Sequence, residues 1–343
     1  MRKVLVLSDF YPAEFIKNDP EMQGILHGTL GEEFHIDYMN DSMFKNSDNP
    51  MSIIRDFEKS GIGSVVRDKE LLDALAEVEI LIVHWSAVTP EMMDAAPKLK
   101  FVGSMRSGLE NIDMKYAAKK GITVRNCPGR LGDSVADLTL ALILDANKGL
   151  MTRNLVLTKG EWVDHKPYQK TINRPLRLLT AGIVGFGAIG QKVAKRLQAF
   201  GTKVQAYDPY TADAAFEQMG VKRVDLDTLM ATSDIITIHA RLVEETKGMI
   251  GKHEMSLIKD GCMFINTARA DLVDEEAFME SMKSGKIAAA GLDVYWQEPF
   301  DKNCELLTMN NVTMMPHIGG VFPGVAQLSM GMLMESLAEY LNG

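Results

Sequence analysis

The chain is poor in cysteine, in net positive charge and in long apolar runs. Cys127, Cys262 and Cys304 are odd in number, far apart and without metal-ligand spacing, so a disulfide framework is not expected, no metal is expected, and a reduced cytoplasmic compartment is. No apolar run approaches the ~20 residues that span a bilayer, so no membrane partner is expected. After the basic pair Arg2-Lys3 only Val4 to Leu7 are continuously apolar, which suits a first β-strand and is too short for a secretory signal. Asp and Glu number 46 against 37 Lys and Arg, a formal net charge of −9, which argues against a nucleic-acid or anionic-membrane partner. Low-complexity linkers and secure internal repeats are missing as well. What remains is the composition of a soluble globular protein, 46% hydrophobic and 24% charged over 343 residues, a length that suits two domains. The 23 methionines are scattered and read as core filler.

The most informative stretch runs from Leu178 to Pro209. A β-prone run through Ile183 and Val184 ends in Gly185-Phe-Gly187-Ala188-Ile189-Gly190; Val193, Ala194, Leu197 and Phe200 then recur at helical spacing until Gly201, and a second strand, Lys203 to Tyr207, ends at Asp208. Each part meets a need of a dinucleotide. Gly185 permits the turn, Gly187 lets the backbone approach a pyrophosphate, Gly190 lets the helix pack closely, and the helix N-terminus attracts the phosphate. Asp208, 18 residues after Gly190, suits a ribose and repels a 2′-phosphate, so the expected cofactor is NAD rather than NADP. Alone, Asp208 before Pro209 reads equally as an Asx turn.

Before this fingerprint, short β-rich runs at Val4–Leu7, Ile80–Val83, Phe101–Gly103 and Ile122–Val124 alternate with helical patterns, an α/β layer structure of its own. Residues 40–52 look like an exposed excursion. Asp133 to Leu150 is the most continuous apolar helix pattern, with Asp133 or Ser134 placed to cap it; it reads as a hinge-side element, part of a dimer interface or an internal core helix. Beyond the fingerprint, strands at Ile235–His239, Cys262–Asn266 and Ala288–Val294 extend a doubly wound parallel sheet.

Ligands of such sheets lie beyond the carboxyl ends of the strands, where Arg269, Glu298 and His317 fall. A guanidinium holds a planar carboxylate by two hydrogen bonds, a histidine exchanges a proton near neutral pH, and a carboxylate beside it orients the ring and favours its protonated form. Taken singly, each residue reads as readily as a surface charge, a loop acid or a helix cap. Together, with a nicotinamide alongside, they are equipment for hydride transfer to a 2-keto acid.

The segments LKFVGSMRSGLENIDMKYAAKKGITVRNCPG, SVADL, GIVGFGAIG, HARLVEETKGMI, NTARADLVDEEA, GLDVYWQEP and PHIGG resemble, in order and over nearly the whole chain, the D-2-hydroxyacid dehydrogenases, the family of phosphoglycerate, glycerate and D-lactate dehydrogenases. The resemblance implies two doubly wound α/β domains, a Rossmann NAD-binding domain (126–313) and a flavodoxin-like substrate domain (1–125 with 314–343), with a cleft between them. It implies that Arg269 binds the substrate carboxylate, that His317 is the acid/base and that Glu298, 29 residues beyond Arg269, is its partner. Asp293 is implied at the nicotinamide amide, and Ser107-Gly108 as backbone donors to the substrate. His239, Ala240, Arg241, Thr246, Ala268, Gly319 and Gly320 are implied around the cofactor, with Arg241 a departure from the family's HxP turn that either lines the adenosine side or is merely exposed. No arginine occupies His84-Trp85-Ser86, where bacterial phosphoglycerate dehydrogenases hold the phosphate, and Arg106 is the candidate replacement. The expectation is an NAD-dependent, homodimeric oxidoreductase interconverting a small 2-keto acid and a D-2-hydroxy acid, whether phosphoglycerate dehydrogenase-like or a hydroxypyruvate or glyoxylate reductase. The alternative is an NAD(H)-sensing corepressor-type protein, distinguished by tight NADH binding without turnover.

Overall fold

The computed structural model describes residues 1–9, 11–44, 53, 61–162 and 173–343. The chain divides into two compact units, Met1–Arg130 with Pro323–Gly343, and Leu131–Phe322. Each is built on a wholly parallel sheet.

The first unit contains β1 (Arg2–Ser8), β2 (Phe34–Asn40), β3 (Val78–Val83), β4 (Phe101–Ser104) and β5 (Thr123–Arg125), in the order β2-β1-β3-β4-β5. This is the flavodoxin-like order. Val4 to Leu7 are all buried, because a central parallel strand is covered on both faces and so reads as an unbroken apolar run. Leu5, Leu7, Leu81 and Val83 pack with Leu71, Leu75 and Met92 on one face; Val4, Val6, Ile80 and Ile82 pack with Met22, Leu26, Met330 and Leu333 on the other. Met330 and Leu333 belong to the helix Val325–Asn342, which brings the chain's tail into this core. Gly103 makes that contact possible, since a Cβ there would lie 2.8 Å from Leu333 Cδ2. Of the expected excursion at 40–52, Asn40 ends β2 and Asp41 is buried in an ion pair with Arg67 at 2.8 Å; residues 45–52 lie outside the described residues.

The second unit contains β6 (Thr180–Val184), β7 (Lys203–Tyr207), β8 (Lys222–Arg223), β9 (Ile235–Ile238), β10 (Cys262–Asn266), β11 (Ile287–Leu292) and β12 (Val312–Met314), in the order β12-β11-β10-β9-β6-β7-β8. Strand order reverses between β6 and β9, the switch point at which dinucleotides bind. The helix Gly132–Lys148 is a core helix of this unit: Ala136, Leu140 and Ile143 pack with Ile183, Val193, Leu197 and Ile265. Asp133 does not cap it. The N-cap is Leu131, without a side-chain cap, and Asp133 instead pairs with Lys192 and Arg196 of the helix Ala188–Ala199. Residues 314–322 group with this unit: β12 pairs with β11, Met315 N–H donates to Leu292 O, and Ile318 and Gly319 N–H donate to Asp293.

Candidate active site

The glycine turn after β6 is shaped by close approaches. Gly185 has φ +92°, and a Cβ there would lie 2.4 Å from Ala240 N, so the backbone leaving β9 crosses directly over it. At Gly190 a Cβ would lie 2.1 Å from Gly185 O; the helix packs on the turn itself more tightly than on the strand. Gly187 differs, because a Cβ there would meet nothing within 4 Å. Its open side is where another group can approach the backbone. Gly187 is also the N-cap of the helix Ala188–Ala199 and supplies no side-chain cap, and the N–H groups of Gly187, Ala188 and Ile189 find no acceptor among the described residues. Unsatisfied donors, the positive end of a helix and open space together fit the pyrophosphate of a dinucleotide.

Asp208 joins the turn to the end of β7. Its Oδ2 accepts from Phe186 N–H and its Oδ1 from the N–H groups of Tyr210 and Thr211, each at 2.8 to 3.0 Å. Burial pushes its pKa up, but these backbone donors outweigh that and hold it below the ordinary carboxylate value, so the group stays charged. Both the Asx turn and the placement beside the glycine turn are therefore present at once. Sequence reasoning missed Arg223, which donates to Asp208 O at 2.9 Å, pairs with Asp213 and lies 5.2 Å from the Phe216 ring centre. It is a cation beside the carboxylate, contributed by the short edge strand β8 rather than by the loop after Asp208.

At the end of β9, His239 Nε2 lies 2.9 Å from Thr237 Oγ1, while its buried Nδ1 has no partner. Burial pushes its pKa down to about 3, so the ring is neutral. Thr246 Oγ1 donates to Arg241 O at 2.7 Å and accepts from Val243 N–H at 2.9 Å, closing the loop in which Arg241 is exposed. These two hydroxyl bonds assign Thr246 a loop-shaping part.

The ends of β10, β11 and β12 are adjacent. Asn266 caps the turn after β10, accepting from Ala268 N–H and donating to Arg269 O, both at 3.0 Å; Arg269 itself is exposed, with Nη1 on Ala268 O at 2.8 Å. Glu298 and His317 are brought together directly. Glu298 Oε2 lies 2.9 Å from His317 Nδ1, and Oε1 accepts from Tyr295 N–H at 2.9 Å. His317 adopts φ +56°, a left-handed conformation that a non-glycine residue holds only where its surroundings impose it. Here the constraint comes from Asp293, whose Oδ1 and Oδ2 accept from Ile318 and Gly319 N–H at 2.8 Å. A Cβ at Gly319 would lie 2.9 Å from that carboxylate, and one at Gly320 would lie 2.6 Å from Leu131 Cδ1. Both glycines and Asp293 thus position the histidine's loop. Burial raises the pKa of Asp293, against the pull of the two N–H donors.

In the first unit the turn after β4 presents Ser107 and Gly108, whose N–H groups find no acceptor among the described residues. Ser107 Oγ donates to Cys127 O at 2.9 Å. Arg106 is buried, with its guanidinium 3.6 Å above the Trp85 ring and 3.5 Å from Glu110. Among the described residues one group has metal-ligand potential, Asp227, His253 and Glu254. It lies at the surface, where His253 pairs with Asp227 and Glu254 accepts from Gly251 N–H.

Residues 140–319 match the family model for the D-isomer specific 2-hydroxyacid dehydrogenase, NAD binding domain. The chain is 40% identical over 277 residues to the D-3-phosphoglycerate dehydrogenase of Archaeoglobus fulgidus, covering 80% of this chain and 52% of that protein. It is 37% identical over 278 residues to the glyoxylate reductase of Thermococcus litoralis, covering 80% of this chain and 83% of that protein. The chain spans about half the length of the phosphoglycerate dehydrogenases it matches. Among solved structures it is similar to a D-lactate dehydrogenase from Aquifex aeolicus complexed with NAD and lactic acid, with 28% identity, a TM-score of 0.68, and coverage of 99% of this chain and 94% of that one.

Proposed function

We propose, for a chain that belongs to the D-isomer specific 2-hydroxyacid dehydrogenase family, that its reaction is the NAD-dependent interconversion of a small 2-keto acid and a D-2-hydroxy acid. The observation that carries this reading is the His317–Glu298 pair at the strand ends of a dinucleotide-binding fold. NAD, when bound, supplies or accepts the hydride. Glu298 holds Nδ1 of His317 and fixes the ring, which leaves Nε2 to give a proton to the keto oxygen in reduction and to take it back in oxidation. Asp293 and the two glycines hold the loop that carries this ring. Arg269, on its Asn266-capped turn, clamps the substrate carboxylate, and the N–H groups of Ser107 and Gly108 are further donors to the substrate. The second unit is the cofactor domain, with Gly187, Ala188 and Ile189 at the pyrophosphate, Asp208 at the ribose and Asp293 at the nicotinamide amide; the first is the substrate domain.

A panel of 2-keto acids with NADH, followed by absorbance, tests the reading. Steady oxidation supports it. Tight NADH binding with no turnover on any of them overturns it in favour of a nucleotide sensor.

The protein is also proposed to be a homodimer in a reducing cytoplasm. The helix Leu150–Leu157 buries none of its residues, and Leu150, Met151, Leu155 and Leu157 are half exposed, with Trp162 at 85%, an apolar surface of the kind a second copy covers. Sedimentation tests this, and a monomer at micromolar concentration overturns it. Cys127 and Cys262 are buried and unpaired, which suits the reducing compartment.

A further inference from the structure

The first unit holds a cluster of charge that the His317–Glu298 chemistry does not use. Two turns are stapled there: Cys127 N–H donates to Arg106 O at 2.8 Å, Ser107 Oγ to Cys127 O, and Asn126 Nδ2 to Ser107 O. The second turn ends at Arg130. Its Nη1 donates to Ser329 Oγ at 2.8 Å, its Nε is buried without a partner, and it makes no ion pair among the described residues. Burial pulls the Arg130 pKa down, yet a guanidinium remains charged. A cation partly withdrawn from water without a carboxylate is unfavourable unless an anion joins it.

The neighbouring acids do not meet that need. Asp9 is engaged with the His84 ring and with the N–H groups of Trp85 and Ser86. Glu110 faces Arg106 at 3.5 Å, too long for a hydrogen bond, and is exposed enough to be displaced. Beside them a recess is lined by Ser8, Asp9, Tyr11, His84 and Met105. Ser8, which is 2% exposed, has a hydroxyl with no partner. The positive charges of Arg130 and Arg106 both act on His84, adding to the burial that lowers its pKa, and the Arg130 charge also acts on Tyr11.

We infer that Arg130 and Arg106 form an oxyanion subsite in the first unit that selects 2-keto acids bearing a second anionic group on the carbon chain, with phosphate the best fit. The inference rests on the proposed keto-acid chemistry. Arg106 directly precedes the free N–H groups of Ser107 and Gly108, so a carboxylate held at that turn leaves the rest of its chain beside the guanidinium. Two forked donors match the oxygens of a phosphate better than those of an uncharged chain end.

The experiment compares kcat/KM for phosphohydroxypyruvate and hydroxypyruvate, which differ only in the phosphate, and for 2-oxoglutarate and 2-oxobutyrate, which differ in a terminal carboxylate. The unmodified protein is expected to favour phosphohydroxypyruvate at least tenfold. Arg130→Met should reduce that ratio about tenfold, and Arg130→Lys, which keeps a point charge without the fork, should reduce it less. A ratio unchanged in Arg130→Met, or a preference for hydroxypyruvate in the unmodified protein, overturns the inference while leaving the oxidoreductase reading intact. A larger discrimination for 2-oxoglutarate than for the phosphorylated acid assigns the subsite to a carboxylate and overturns the phosphate preference. If no keto acid is turned over, calorimetry with 3-phosphoglycerate decides: binding lost in Arg130→Met and kept in Arg130→Lys supports the subsite, and equal binding in all three proteins overturns it. Inorganic phosphate binding as tightly as 3-phosphoglycerate, with no change in the substrate ratio, overturns the substrate role. Melting curves of both variants establish that they fold.

Discussion

His317 in the second unit and His84 in the first are each held through Nδ1 by a carboxylate, Glu298 at 2.9 Å and Asp9 at 3.2 Å. In both pairs the carboxylate's other oxygen accepts from backbone N–H groups, that of Tyr295 for Glu298 and those of Trp85 and Ser86 for Asp9. The local construction is nearly the same, and the surroundings are not. The side chains of His317 and Glu298 are 36% and 19% exposed, those of His84 and Asp9 11% and 1%. Burial lowers the pKa of His84, and Arg130 and Arg106 lower it further. A histidine–carboxylate pair is therefore insufficient to define an acid/base catalyst; access and neighbouring charge decide whether it exchanges protons or ties β3 to the residue after β1.

The largest test of this contrast replaces each ring. His317→Ala should lower turnover by roughly two to four orders of magnitude, the usual contribution of general acid catalysis, with NADH affinity retained in a fluorescence titration. Comparable loss of turnover in His84→Gln, in protein that melts normally, would remove the distinction. Next in size, Asp9→Ala strands two backbone N–H groups and a buried ring nitrogen, and should cost about 1–3 kcal/mol for a buried group left unsatisfied, read by urea denaturation. A loss no greater than that of a surface substitution would show that the first pair is not structural.

Asp208 is a third carboxylate held by backbone N–H groups, here with no histidine. Its charge should exclude the 2′-phosphate of NADPH, and Asp208→Ala should narrow the preference for NADH about tenfold, since Arg223 then stands beside the site without the opposing charge. Equal use of both cofactors by the unmodified protein sinks the assignment.

The smallest effect concerns pH. His239 is held neutral, with its folded pKa pushed down to about 3 against about 6.5 unfolded. Below the unfolded value the unfolded chain takes up a proton that the folded protein does not. Its contribution is therefore intact above pH ~6.5 and declines toward pH ~3, by at most about 1.4 kcal/mol per unit. His239→Gln should flatten the acid limb of stability between pH 6 and 4, and parallel curves for the two proteins would refute it.

Much of this was legible in advance because strand ends and glycine turns are local. The fingerprint from Val184 to Asp208, the strand Cys262–Asn266 and the order of Arg269, Glu298 and His317 all follow from residue type and spacing. Strand β2 was not legible: Phe34 to Asn40 is a half-exposed edge with no apolar run. Neither was the start of the helix at Gly132, because Asp133 has two cations on a helix more than fifty residues away and does not turn back to cap. Arg223 and Arg130 were overlooked for the same reason. An arginine in isolation reads as solvated surface, and only packing shows that one lies beside Asp208 O and the other lacks a counter-charge.

The first unit closes its core with a helix that follows the entire second unit in the chain. Ala326, Met330, Leu333 and Leu337 cover Val4, Met22, Leu26 and Phe101, so for most of the time the chain is being synthesised those residues are without their cover. The ribosome, working from the amino end, completes the second unit before the first can bury its apolar face. The earliest residues made are thus among the last to be secured, and in that interval this sheet is the part of the nascent protein most exposed to aggregation and to chaperones.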